Sequence, residues 1–209
     1  MRRLLLLVLA LLLVACEATS STANLSAGLS PGEDGWRGSA LDTDATMPDV
    51  TLVDATGEQF DLAADTAGTP TLLFFGYASC PDICPIHLAA IAAGMQGAGV
   101  SHDDLDVVFV TVDPERDGPE EIGEWLAAFD RRFTGLTGDM ATIEEALGAL
   151  DLPGPVVEGA DPRGEGELIG HPAQVIGFDA DGDARRVWPF GTRRADWIAD
   201  LPRLAEEWA

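Results

Sequence analysis

Apolar and polar residues alternate through MPDVTLVDATGEQFDL around a turn at Ala55–Gly57, which predicts a β-hairpin over Val50–Leu62. The run TPTLLFFGY is continuously apolar, so Thr71–Tyr77 reads as a buried central strand. From Asp82 to Met95 the period becomes helical, and Gly97 and Gly99 end it. LDVVFVTVD, Leu105–Asp113, is a second buried strand. Ile122, Trp125, Leu126 and Phe129 then fall on one face of a helix over Gly118–Phe129. FTGLTGD reads as a short third strand or turn, and Met140–Leu150 as a helix. Leu152–Gly166, rich in Pro, Gly and acids, reads as a loop. AQVIGFDADGDARRVWPF gives two strands joined at Asp181–Gly182, and Arg194–Trp208 a closing helix. Buried strands that alternate with helices, with a hairpin near the end, predict one α/β domain with a central sheet and helices on both faces.

The beginning of the chain follows another pattern. MRRLLLLVLALLLVAC has two arginines, an apolar run over Leu4–Ala15 too short to span a bilayer comfortably, and a cysteine. That is the pattern of an export signal. Its LVAC ending, Leu13–Cys16, resembles the lipobox of bacterial lipoproteins. The resemblance implies that residues 1–15 are removed, that Cys16 carries the lipid, and that the domain lies outside the cytoplasm on a membrane anchor. The following stretch, up to about residue 46, is small, polar and acidic with no apolar period, and reads as a flexible tether. The folded domain is then expected over residues 47–209.

The 36 acidic residues outnumber 12 basic ones, for a net charge of −24. All the basic residues are arginine. Such a surface repels nucleic acid and anionic lipid headgroups, and it suits cations and basic partners.

The chain has three cysteines. With Cys16 assigned to the lipid, Cys80 and Cys84 form the remaining pair, in GYASCPDICP between the first buried strand and a helix. A disulfide there would close a very short loop, which adds little stability. An exported location permits a disulfide, but a site is the better reading. Residues four apart on a helix share a face, so the two thiols can meet as a redox couple or converge on one ion. The helix N-terminus favours thiolates, and both chemistries need them. The C-x-x-x-C spacing differs from the C-x-x-C redox motif and is weak by itself.

A cysteine pair at a strand-to-helix turn resembles the thioredoxin fold, here with a central mixed sheet flanked by helices and an N-terminal β-hairpin. GYASCPDICP (76–85), VTVDPERDGP (110–119), GLTGD (135–139) and GHPAQVIGFDADG (170–182) together resemble the SCO/SenC family, in family order from Pro48 to Trp208. The resemblance implies a copper site, Cu(I) or Cu(II), formed by Cys80, Cys84 and His171. It also implies a role in delivering copper to, or reducing thiols at, the binuclear copper centre of cytochrome c oxidase. The partner would be the oxidase subunit that holds that centre, or another exported copper protein. Two thiolates and an imidazole suit copper on chemical grounds, although a Cys₂His zinc site has the same donors. Relatives commonly have an aromatic residue four before the histidine and Ser or Thr after it. This chain has Glu167 and Pro172 at those places.

The other polar residues near the motifs have plainer readings. His87 can share a helix face with Cys84, but the family motif has no ligand there, so it reads as solvated or partly packed. His102 reads as a loop residue. Asp113 is read as supporting the ligands from outside the coordination sphere, and Arg116 as a structural ion-pair partner. Pro172 precedes a strand at a place where thioredoxin-like folds often carry a cis proline. Trans remains the default there, favoured by only ~0.5–1 kcal/mol. Two functions compete: a metallochaperone, and a thiol–disulfide oxidoreductase in which Cys80 and Cys84 cycle catalytically and His171 is incidental. A peroxiredoxin-type peroxidase is disfavoured, because Tyr77 stands where such enzymes carry a threonine.

Overall fold

The structure, a computed structural model, describes residues 29–164 and 166–209. The signal segment and Cys16 lie outside the described residues. An eight-stranded mixed sheet forms the centre. Its three parallel strands are β4 (Thr71–Gly76), β5 (Asp106–Thr111) and β6 (Thr134–Thr137). β4 and β5 match the expected buried runs, β6 is the strand of the two readings left open for FTGLTGD, and all six residues of β4 are buried. β9 (Val175–Phe178) pairs antiparallel with β4, and β10 (Ala184–Trp188) continues that hairpin outward. On the far side β2 (Thr51–Asp54) and β3 (Gln59–Asp61) form the expected N-terminal hairpin, with β2 docked on β6.

Five helices accompany the sheet among the described residues: α1 (Leu62–Thr66), α2 (Ile83–Ala98), α3 (Pro119–Leu126), α4 (Met140–Ala149) and α5 (Arg194–Glu207). α2, α3 and α5 share one face. Phe74 and Phe109 point into it, meeting His87 of α2 and Trp125 of α3. Trp197 and Ile198 of α5 cover Gly94 and Gly97 of α2 so closely that a methyl at either glycine would overlap them. Gly97 is therefore a packing position inside the helix. The stop is Gly99, whose left-handed φ of 73° caps α2. Side chains alternate along β9 and β10, so Ile176 and Val187 point to the opposite face, beside Leu150 and Leu152 at the end of α4. Among the described residues no helix is long and apolar enough to cross a membrane.

Two expectations fail for physical reasons. The loop expected over Leu152–Gly166 contains β7 (Val156–Ala160), which pairs with β8 (Glu167–Gly170) as a separate two-stranded ribbon. Its valines, Val156 and Val157, stay 64% and 56% exposed, so no burial period marks it. The tether expected up to residue 46 is anchored well before that. Trp36 is buried, stacked on Trp208 at 5.4 Å, with the guanidinium groups of Arg186 and Arg203 also over its ring. The buried Asp200 carboxylate accepts hydrogen bonds from the Arg37 and Gly38 amides and from Trp188 Nε1 (2.8–3.0 Å). Ser39–Ala40 then adds strand β1 to the edge of β10.

Candidate metal centre

The C-terminal end of β4 delivers the chain to the cysteine turn. A methyl added at Gly76 would lie 2.6 Å from Cys84 Sγ and 2.9 Å from Phe109 Cε2, so glycine makes room for the buried sulfur. Asp82 caps α2 by accepting the Ile83 amide proton at 2.7 Å. Pro81 precedes the N-cap, and Pro85 sits in the first turn, where an N–H would have no intrahelical partner. Cys80 Sγ accepts from the Cys84 amide at 3.4 Å, so the sulfur lies over the positive end of the helix.

Both cysteines are free thiols and both are buried. Their environments set them apart. A hydrogen bond from the Cys84 thiol, followed by contributions from His171 and the Cys84 and Asp82 amides, outweighs burial and brings Cys80 down to about 4. Burial, then the hydrogen bond and charge of Cys80, pushes Cys84 well up. The pair is asymmetric: Cys80 is the thiolate and Cys84 keeps its proton.

His171 follows β8 and comes back over this turn. Its Nε2 lies 3.5 Å from Cys84 Sγ. Its Nδ1 lies 2.9 Å from the Pro172 carbonyl oxygen. A carbonyl can only accept, so Nδ1 carries the hydrogen and Nε2 faces the sulfurs. The His171–Pro172 bond is trans, since no peptide bond among the described residues is cis. Tyr77 stands edge-on to the His171 ring at 5.6 Å and takes a hydrogen bond from the Ile169 amide on its hydroxyl. Arg163, at the tip of the β7–β8 ribbon, donates to the Ser79 carbonyl at 2.9 Å. Arg116 donates to the Glu167 carbonyl at 2.9 Å. The ribbon is thus fastened to the cysteine turn through Arg163 and to the loop after β5 through Arg116.

Cys80 Sγ, Cys84 Sγ and one His171 nitrogen all lie within 4.8 Å of one another, and among the described residues this is the one His/Cys/Asp/Glu group so gathered. A metal–thiolate bond of about 2.3 Å places two sulfurs around one ion ~4 Å apart, so only a small contraction would seat a metal. The donor set is soft, with two sulfurs and a borderline nitrogen.

The remaining candidates fall around this group. Asp113 is buried and pairs with Arg116. Arg116 in turn lies over the Tyr77 ring at 5.7 Å, so Asp113 reaches His171 only through two intervening side chains. Asp117, given no particular role from sequence, makes the more direct contact. It is 1% exposed, and one carboxylate oxygen accepts both the Ala78 amide at 2.8 Å and the Thr111 hydroxyl at 2.7 Å. It pins the backbone two residues before Cys80. Burial raises its carboxyl above the usual range, against the effect of those two hydrogen bonds. His102 pairs with Asp130 at 3.3 Å, in keeping with a loop role. His87 is fully buried, not solvated.

Fold and site together define a thioredoxin-like α/β protein with a cysteine pair and a histidine gathered at the strand-to-helix turn. The family model described as SCO1/SenC matches residues 38–206. The chain belongs to the SCO1/SenC family. It is similar to an SCO2-like protein from Rickettsia conorii, 32% identical over 134 residues, covering 64% of this chain and 64% of that protein. It is also similar to SenC of Rhodobacter capsulatus, 31% identical over 132 residues, covering 59% of this chain and 58% of that one. Among solved structures, ScoI of Bradyrhizobium japonicum with copper bound is 29% identical, with a TM-score of 0.65 over 77% of this chain and 99% of that one.

Proposed function

We propose that this protein binds copper through Cys80, Cys84 and His171 and delivers it, as cargo, to an exported copper protein. The observation that carries the reading is the convergence of two thiols and a tautomer-fixed imidazole within 4.8 Å. Thiolate sulfur favours Cu(I), and imidazole keeps Cu(II) acceptable. The copper-bound Bradyrhizobium relative supports copper over zinc. Cys80, already a thiolate, would give the ion its first anionic ligand. Cys84 would lose its proton on binding, so uptake releases a proton. The acceptor implied by the family motifs is the subunit of cytochrome c oxidase that holds the binuclear copper centre. The lipobox-like LVAC sequence supports an extracytoplasmic protein held to the bacterial cell membrane by lipid on Cys16.

The asymmetry of the thiols supports a second reading, a thiol–disulfide oxidoreductase. Cys80 thiolate would attack a disulfide on the acceptor and expel one of its sulfurs as a thiolate. Cys84 would then displace the second, leaving Cys80–Cys84 oxidised and the acceptor reduced by two electrons. His171 separates the two readings. In the copper reading His171→Ala weakens Cu(I) binding by about tenfold or more. Unchanged copper affinity in His171→Ala would favour the oxidoreductase.

A further inference from the structure

Three residues beyond Cys84, α2 carries a second imidazole that the Cys₂His centre leaves unexplained. His87 is 1% exposed, and neither Nδ1 nor Nε2 makes a hydrogen bond of good geometry among the described residues, although the Ala173 backbone lies near enough to act on the ring. The ring lies between Phe74 at 5.2 Å and Phe190 at 5.5 Å. Phe74 also lies against the His171 ring, at 6.1 Å, so one phenylalanine touches both imidazoles. Burial, then the nearby His171, pushes His87 down to about 4, which keeps it neutral with a free lone pair at ordinary pH.

A buried imidazole without a well-formed hydrogen bond is costly, at about 1–3 kcal/mol for each polar group left unpaired. An apolar side chain in the same slot would carry no such penalty. Buried groups of this kind call for an explanation, and an ion is one. The spacing fits that explanation. Side chains at i and i+3 share a helix face, and Glu-x-x-His pairs in di-metal bundles use the same offset to hold one ion. Cys84-x-x-His87 has that offset, beginning at a residue already in the centre. In the metal-free arrangement His87 stands outside the group gathered within 4.8 Å. Two thiolates and one imidazole suffice for Cu(I), whereas Cu(II) favours a four-donor tetragonal set. The outer wall of the His87 slot is Phe190, itself 45% exposed, so the ring can turn by displacing a surface side chain and not the core.

We infer that His87 is the fourth donor of this centre when it holds Cu(II), its ring turning out of the Phe74–Phe190 slot toward Cys84. The inference rests on the copper reading of Cys80, Cys84 and His171. It is tested on the reduced full chain loaded with Cu(II) alone, with pulsed electron paramagnetic resonance counting coordinated histidine nitrogens and optical absorption following the sulfur-to-copper band. Two histidine nitrogens are expected in the wild type and one in His87→Leu, with the band present in both. Cu(II) affinity should fall about tenfold or more in the variant, the order lost when support at a metal centre is removed, while Cu(I) affinity holds. Metal-free His87→Leu should melt at or above the wild type, because an unpaired buried group is gone. A single nitrogen in the wild type with the band present overturns the inference and leaves the copper reading standing. A missing band overturns both. The wild-type count decides the matter even if the variant fails to fold.

Discussion

Replacing Asp117 tests whether the cysteine turn is held from behind. Its single oxygen accepts the Ala78 amide and the Thr111 hydroxyl, both within 2.8 Å and shielded from water. In Asp117→Ala both donors lose their acceptor. Each orphaned buried donor costs about 1–3 kcal/mol. The Thr111 hydroxyl can rotate to recover part of that, so a net loss of roughly 2–4 kcal/mol is expected. Asp117→Asn keeps an amide oxygen where both donors meet. It should stay within about 1 kcal/mol of the wild type, since it gives up charge-assisted bonds but also a buried charge. The pH dependence has a definite sign. Burial raises the carboxyl of Asp117 in the folded state, so its contribution is full below the unfolded value and is lost as pH rises through the raised one. The difference between Asn and wild type should therefore shift in favour of Asn from acid toward neutral pH. Urea denaturation reads both effects as midpoint shifts at constant slope. Copper affinity should fall in Asp117→Ala and hold in Asp117→Asn. If the two variants are equally stable, the hydrogen-bond account of Asp117 is wrong.

Three further outcomes follow from the same geometry. Gly76→Ala forces a methyl against Cys84 Sγ and Phe109, so denaturation should show a loss of about 1–3 kcal/mol from overpacking, with weakened metal binding in the folded fraction. Cys80 should titrate by thiolate absorbance near pH 4 while Cys84 stays protonated. The stability this lends should be present above the unfolded thiol value and fall away as pH drops through about 4. Oxidation of Cys80 and Cys84 to a disulfide, with two electrons passing to the oxidant and the one Cys84 proton released, should abolish copper binding until a thiol reductant restores it. Equal affinity in both redox states would contradict the thiolate assignment.

Much of the sheet was legible because burial on both faces leaves an unbroken apolar run, as in Thr71–Gly76 and Asp106–Thr111. The cysteine pair was legible as a site, since so short a disulfide loop does little for stability. His171 was legible only through the motif around it, because nothing in its own neighbourhood in sequence says that β8 returns it to the cysteines. The elements that escaped notice depend on distant partners. Trp36 and the Arg37 amide look like tether residues until Asp200, 163 positions from Arg37, is found beneath them. The β7–β8 ribbon buries little, so it leaves no period. Asp113 and Asp117 look alike in VDPERD. Their difference arises because one meets Arg116 and the other turns inward to Ala78 and Thr111. His87 looks like a polar residue on a surface helix until Phe74 and Phe190 close over it.

Copper stoichiometry in the reduced protein tests the central claim most directly, measured for the wild type beside the Cys80→Ser plus Cys84→Ser double variant. The site geometry predicts one copper for each wild-type chain and none retained by the variant after desalting. The same copper content in both proteins, with the variant folded, would show that the ion is held by groups other than Cys80 and Cys84.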